Sequence, residues 1–336
     1  MFEVFARRAP TGDQMGGEAS TPLVPKRPSV ALALGGGAAR GFAHIGVLRS
    51  LAAAGISPDI IVGTSIGAVA GGCFAGGVMD TLEQWARSLT VRGVLGYLDV
   101  SLSGSGLIGG NRLARHLETA LDKTLIENLP IRFAAVATEV RTGHEIWITH
   151  GRVVDALRAS YALPGIFPPV RIGGRWLVDG ALVNPVPVSV ARALGARVVI
   201  AVNLNADQFG RGITIVSHGS DESDDFPAAA EPVEEPKKSP SRIGAFFSAE
   251  RALKRQFLGD AGRPGLSTVM VDAFNVMQDR ITRSRLAGDP PDVTINPRLG
   301  RVGWFDFHRA EEAIKLGEEA GEKACETINE AITALA

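Results

Sequence analysis

Ser65 lies in the run Gly63-Thr64-Ser65-Ile66-Gly67, which follows the apolar stretch Ile60-Ile61-Val62 and leads into Ala68-Val69-Ala70. A strand that passes into a helix through such a turn can hold its serine in a strained, exposed conformation, because the flanking glycines let neighbouring backbone approach closely. The chemistry on offer is nucleophilic acyl transfer. A Gly-x-Ser-x-Gly pattern recurs by chance, so its weight comes from the strand before it and the small-residue helix after it.

A second feature is Gly35-Gly36-Gly37-Ala38-Ala39-Arg40-Gly41, directly after the apolar run Val30-Ala31-Leu32-Ala33-Leu34. Three uses fit a glycine loop at this place. As a nucleotide site it lacks the Gly-Lys-Ser/Thr ending of a P-loop. As a dinucleotide site it has Arg40 at the third glycine position, and Asp59 stands before its strand instead of after it. A tight turn that only packs helix on sheet is the second use. The third is an oxyanion hole, in which N–H groups at a helix N-terminus converge on the charge of a tetrahedral intermediate. Arg40 then either adds positive potential or makes a surface salt bridge.

The serine needs a base. Of the six histidines, His44 stands one turn beyond the glycine loop and suits core packing. His116, His144, His150, His218 and His308 are scattered, with no His-Glu-x-x-His frame for a metal. Asp179 is the better partner: it ends the apolar run Trp176-Leu177-Val178 and precedes Gly180, which permits a sharp turn beside a substrate. Its ordinary pKa, about 3.9, makes it a poor base in water, and burial would raise it. An ordinary Asp-Gly turn explains the same two residues.

The elements that must carry these groups alternate. Strands at Ser29 to Leu34 and Asp59 to Val62 are each followed by a helical pattern, Ala38 to Ala54 and Ile66 to Phe74. That order predicts parallel strands with crossover helices, an α/β fold whose first two turns open on the same sheet edge. Further strands are expected at 131–137, 145–149, 175–178, 197–204 and 292–295, and helices at 153–160, 268–286 and 308–332. Residues 1–28 read as a flexible leader, 79–128 as a cap-like insertion, and 217–241 as a mobile acidic and Pro-rich insertion. The catalytic domain then spans 29–304, with a helix over 305–336 packed on it. Leu89, Val94, Leu95, Leu98, Leu102, Leu107 and Ile108 of the insertion offer an acyl groove or simply the core of a cap.

The chain has 336 residues, 45% hydrophobic and 21% charged, with a formal net charge of -1. That balance gives no general attraction to nucleic acid. Cys73 and Cys325 are the only cysteines, too few for a disulfide scaffold, and a reducing, cytoplasmic setting is the default. No run is long and apolar enough for a membrane span, which leaves peripheral membrane contact open. No cofactor or metal is called for, and no acidic ligand loop suggests calcium.

Taken together, these motifs resemble the patatin-like phospholipase family over most of residues 29 to 204. Gly35 to Gly41 is similar to its glycine-rich oxyanion motif, Gly63 to Gly67 to its nucleophile elbow, and Asp179-Gly180-Ala181 to its catalytic aspartate motif. Arg158-Ala159-Ser160 and Pro164-Gly165-Ile166-Phe167-Pro168 resemble the segment before that aspartate. The resemblance implies a three-layer α/β/α sandwich with a mainly parallel sheet and a small helical cap. It also implies a Ser65/Asp179 dyad without histidine, an oxyanion hole drawn from Gly35, Gly36, Gly37, Ala38, Arg40 and Gly41, and lipid acyl esters as substrates of the phospholipase A or lysophospholipase kind. A thioesterase or serine peptidase using the same dyad, and a regulatory protein on the same fold, are the alternatives.

Overall fold

The computed structural model describes residues 27–90, 111–207, 259–260, 263–264 and 266–336. Most of the expected leader, the 217–241 insertion and the centre of the 79–128 insertion lie outside them.

The eight-stranded sheet has the order β10-β7-β1-β2-β3-β6-β5, with β4 also paired to β3. Its strands are β1 (Val30–Leu34), β2 (Ile60–Thr64), β3 (Arg132–Glu139), β4 (Glu145–Ile148), β5 (Val170–Ile172), β6 (Arg175–Asp179), β7 (Val198–Val202) and β10 (Val293–Ile295). A separate two-residue pair, β8 (Gly259–Asp260) and β9 (Arg263–Pro264), stands apart from it. Strands β10, β7, β1, β2 and β3 run parallel, whereas β6 is antiparallel to β3 and β5 to β6.

Continuous apolar runs make both faces of the parallel part buried. Leu32 and Leu34 of β1, with Ile61, Ile200 and Val202, enter one core cluster, while Ala31 and Ala33, with Val62, Val136 and Val199, enter another. The first face carries α1 (Ala43–Ala53), α2 (Ile66–Ala75), α5 (Val153–Ser160) and α8 (Ala310–Ala334); the second carries α6 (Val188–Ala193). This is the α/β/α sandwich expected from the motifs, with a sheet that is mostly parallel and partly antiparallel.

The described parts of the 79–128 region, α3 (Met79–Ser88) and α4 (Asn111–Leu121), send Leu82, Ala86, Leu117 and Leu121 into the first core. Val94, Leu95, Leu98, Leu102, Leu107 and Ile108 lie outside the described residues. The remaining long helix, α7 (Leu266–Gly288), buries Phe274, Gln278, Asp279 and Thr282. Helix α1 is covered on its outer side by α8, at Gly46 and Gly317, where any side chain would run into the facing backbone. Asp59 caps the other end of the sheet: it accepts from the Val30 amide at 2.8 Å and pairs with Arg27 at 2.7 Å. It is thus remote from a ribose position, and the dinucleotide use of the glycine loop falls away.

Candidate active site

Strand β2 ends at Thr64, and Ser65 turns the chain into α2 with φ 57° and ψ −126°. For a residue with a Cβ this is a strained conformation, costing about 1–3 kcal/mol, and it must be held by its surroundings. The Ser65 amide donates to Ser160 Oγ at 2.8 Å, and that hydroxyl donates in turn to the Val136 carbonyl at 2.6 Å. Thr64 Oγ1 donates to the Asn184 carbonyl at 2.8 Å. Gly67 lies so close to the Leu34 carbonyl that a Cβ would collide with it, and Gly41 sits equally close under Ile66. These two contacts lock the elbow onto the glycine loop, as adjacent parallel strands allow.

The Ser65 hydroxyl donates to Asp179 Oδ2 at 2.6 Å. Asp179 comes from the end of β6, and its other oxygen, Oδ1, accepts from the Ala181 amide at 2.8 Å. Thr138 Oγ1 on β3 donates to the Asp179 carbonyl at 2.9 Å, which fixes the strand end. Asp179 is only 2% exposed. Burial pushes its pKa up from 3.8 to about 7, against the opposing pull of the Ser65 and Ala181 hydrogen bonds. A carboxylate with a pKa so raised can exchange a proton near neutral pH.

Among the described residues no histidine bonds Ser65. His44 is fully buried and bonds the Gly35 carbonyl through Nε2 at 2.7 Å; burial lowers its pKa to about 4, so the ring is neutral and Nε2 is the donor. His116 stacks on Trp85, and His150 bonds Thr149. His218 lies outside the described residues, among which no cluster of metal-binding side chains occurs.

The glycine loop is more differentiated than its sequence suggests. Gly35 N–H donates to the Val202 carbonyl and Gly36 N–H to the Pro185 carbonyl, both at 3.0 Å. Those two amides are engaged by carbonyls of the chain itself. The amides of Gly37 and Ala38 meet no protein acceptor among the described residues. Ala38 has φ 49°, a second strained residue at the site. Gly36 packs on Ser65 and Ala181, so the loop and the serine meet as the turn geometry requires.

Arg40 forms no surface salt bridge among the described residues. It is 4% exposed, donating from Nε to the Val302 carbonyl at 2.9 Å and from Nη1 to Asn205 Oδ1 at 2.8 Å. Burial lowers its pKa to about 10, while Asp207 and Asp306 oppose that shift. Ser160, Thr138 and Asn205 were not singled out by sequence; Ser160 had only its place in the segment before Asp179 to mark it.

Beside the site runs an apolar cleft of about 490 Å³, lined by Leu163, Ile166, Leu182, Met270, Phe274 and Met277. Phe274 belongs to a small apolar cluster with Ala181 and Trp304, against which Ala38 packs, and this puts one wall of the cleft near the loop and the aspartate turn. Its long wall is α7.

Residues 32–192 match the family described as patatin-like phospholipase. An uncharacterized NTE family protein of Mycobacterium tuberculosis strain H37Rv is 33% identical over 341 residues, covering 89% of this chain and 92% of that protein. Patatin-like phospholipase domain-containing protein 7 of Rattus norvegicus is 36% identical over 185 residues, 53% of this chain and 14% of that protein. With the motifs in the same order and the sandwich that carries them, the chain belongs to the patatin-like phospholipase family.

Proposed function

We propose that this chain is a serine hydrolase of lipid acyl esters, of the phospholipase A or lysophospholipase kind, working through a Ser65–Asp179 dyad. The observation that carries the reading is the direct 2.6 Å hydrogen bond from Ser65 Oγ to a buried carboxylate, with no histidine between them. Asp179 takes the Ser65 proton as Oγ attacks the acyl carbonyl, and the Gly37 and Ala38 amides receive the oxyanion. Collapse breaks the ester C–O bond, and the departing alkoxide takes the proton from Asp179. Water then gives a proton to Asp179 and attacks the acyl-serine. The second collapse returns that proton to Ser65 Oγ and frees the fatty acid.

The apolar cleft beside the dyad supports a lipid acyl chain as the group held there. Val269, Met270, Val276 and Met277 of α7 are exposed, and they supply an apolar surface for peripheral contact with a lipid interface. No described helix is long and apolar enough to cross a membrane. Ser65→Ala and Asp179→Asn should each lower hydrolysis of p-nitrophenyl acyl esters at least a thousandfold, with unchanged circular dichroism. Full activity in either variant rules the dyad out.

A further inference from the structure

Arg40, Asn205 and Gln278 form a buried polar cluster against the glycine loop, each less than a tenth exposed. An arginine side chain carries only donors, so Asn205 must turn its carbonyl oxygen to Arg40, at 2.8 Å. Its amide nitrogen is thereby committed elsewhere. It lies 3.3 Å from the Gly36 carbonyl and 3.3 Å from Gln278 Oε1. Asn205 is itself steadied by its own backbone, whose amide donates to Asn203 Oδ1 at 3.1 Å.

The grip on Gly36 has a directional effect. A trans peptide points its C=O and N–H to opposite sides, so whatever holds the Gly36 carbonyl also aims the Gly37 N–H. The flanking peptides are held in the same manner, by His44 on the Gly35 carbonyl at 2.7 Å and by the Arg40 amide on the Gly37 carbonyl at 3.1 Å. Of these three carbonyls, that of the middle peptide is the one held from outside the loop and its helix. Its holder, Asn205, and the anchor Gln278 both lie beyond the family match at 32–192. Gln278 is one turn from Phe274, so the helix that walls the apolar cleft also anchors the Asn205 amide.

We propose that Asn205 is a positioning residue for the oxyanion hole, oriented by Arg40 and anchored by Gln278, and that it aims the Gly37 N–H at the developing charge. The proposal rests on the Ser65–Asp179 reading. Its test uses the full chain with p-nitrophenyl octanoate and, as a probe that Ser65 converts into a charged tetrahedral adduct, an alkyl trifluoromethyl ketone. Asn205→Asp keeps the shape and the partner for Arg40 but puts an acceptor against the Gly36 carbonyl. It should lower kcat about 10- to 100-fold, with KM within threefold of wild type, and weaken the ketone by the same factor as kcat. The melting temperature should stay within a few degrees. Gln278→Met, which removes only the anchor, should lower kcat and ketone affinity together by a smaller factor. Wild-type kcat in Asn205→Asp, or a lowered kcat with full ketone affinity, overturns the positioning role. An active Ser65→Ala protein overturns the underlying reading instead, so the two failures are distinct.

Discussion

A serine hydroxyl yields its proton readily only to a base whose pKa lies near the working pH, and Asp179 meets that condition through burial, which lifts it to about 7. The kcat/KM of ester hydrolysis should therefore rise about tenfold per pH unit below 7 and level off above it; a flat profile from pH 5 to 8 would remove Asp179 as the base. The same shift carries a stability cost of definite sign. Because the folded pKa is above the unfolded one, the folded state holds more protons between about pH 4 and 7, and stability falls as pH rises through that window. Asp179→Asn has nothing to ionise and can still accept from Ala181 and donate to Ser65. Its melting temperature should exceed wild type by several degrees at pH 8, an effect on the order of a few kcal/mol, with the gap shrinking toward pH 4. A gap of equal size at both pH values would mean burial does not set the pKa. Ser65 and Asp179 were legible because a strand end followed by glycine constrains local backbone whatever lies around it. The fate of individual amides was not: Gly35 and Gly36 give theirs to Val202 and Pro185, residues more than a hundred positions away. The partners of Arg40 are equally illegible, since nothing local in the sequence announces Asn205 or Val302.

Strand–helix alternation is a local signal, and it located nearly every element that carries the site: β1, β2, α1 and α2 stand within a few residues of expectation. Helix α1 is preceded by a 3-10 turn at Ala38–Phe42, whose first residue, Ala38, is left-handed. The short strand β5 escaped notice, being three residues between a proline pair and two glycines. Pairing was the larger gap. That β6 would lie antiparallel to β3, bringing Asp179 opposite Ala137, depends on contacts between segments about 40 residues apart. Helix α5 contributes to the elbow through Ser160, the residue that bridges the Ser65 amide to the Val136 carbonyl. Ser160→Ala leaves a buried donor and a buried acceptor without that bridge, which should cost about 1–3 kcal/mol in denaturant unfolding. It also releases the strained serine, so kcat should fall about tenfold through the misplacement of Oγ. Unchanged kcat alongside lowered stability would show that the β2–α2 turn holds Ser65 without help from α5.

Over the whole molecule, the apolar cleft joins parts of the chain that no local pattern connects: Leu163 to Ile166 after α5, Leu182 after the aspartate turn, and α7 far downstream. Leucine density in 79–128 suggests an acyl groove or a cap core there, and six of its seven candidate residues lie outside the described ones; the periodicity of α7 predicts only a helix. Its Phe274 meets Trp304 edge-on at 5.6 Å in a cluster against which Ala38 also packs. If a linear acyl chain lies there, each buried methylene contributes about 0.8 kcal/mol, equivalent to roughly a three- to fourfold rise in kcat/KM per carbon until the cleft is filled. A p-nitrophenyl series from acetate to laurate should show that climb and then a plateau. Met270→Trp, at the exposed rim, should bring the plateau to shorter chains by occupying space, and Phe274→Ala should move it to longer ones while slowing acetate little. Both shifts are read as ratios within one protein, so a general loss of activity leaves them measurable. A series with the same slope and end point in all three proteins would place the acyl chain somewhere other than against α7, even with Ser65 and Asp179 confirmed as the dyad.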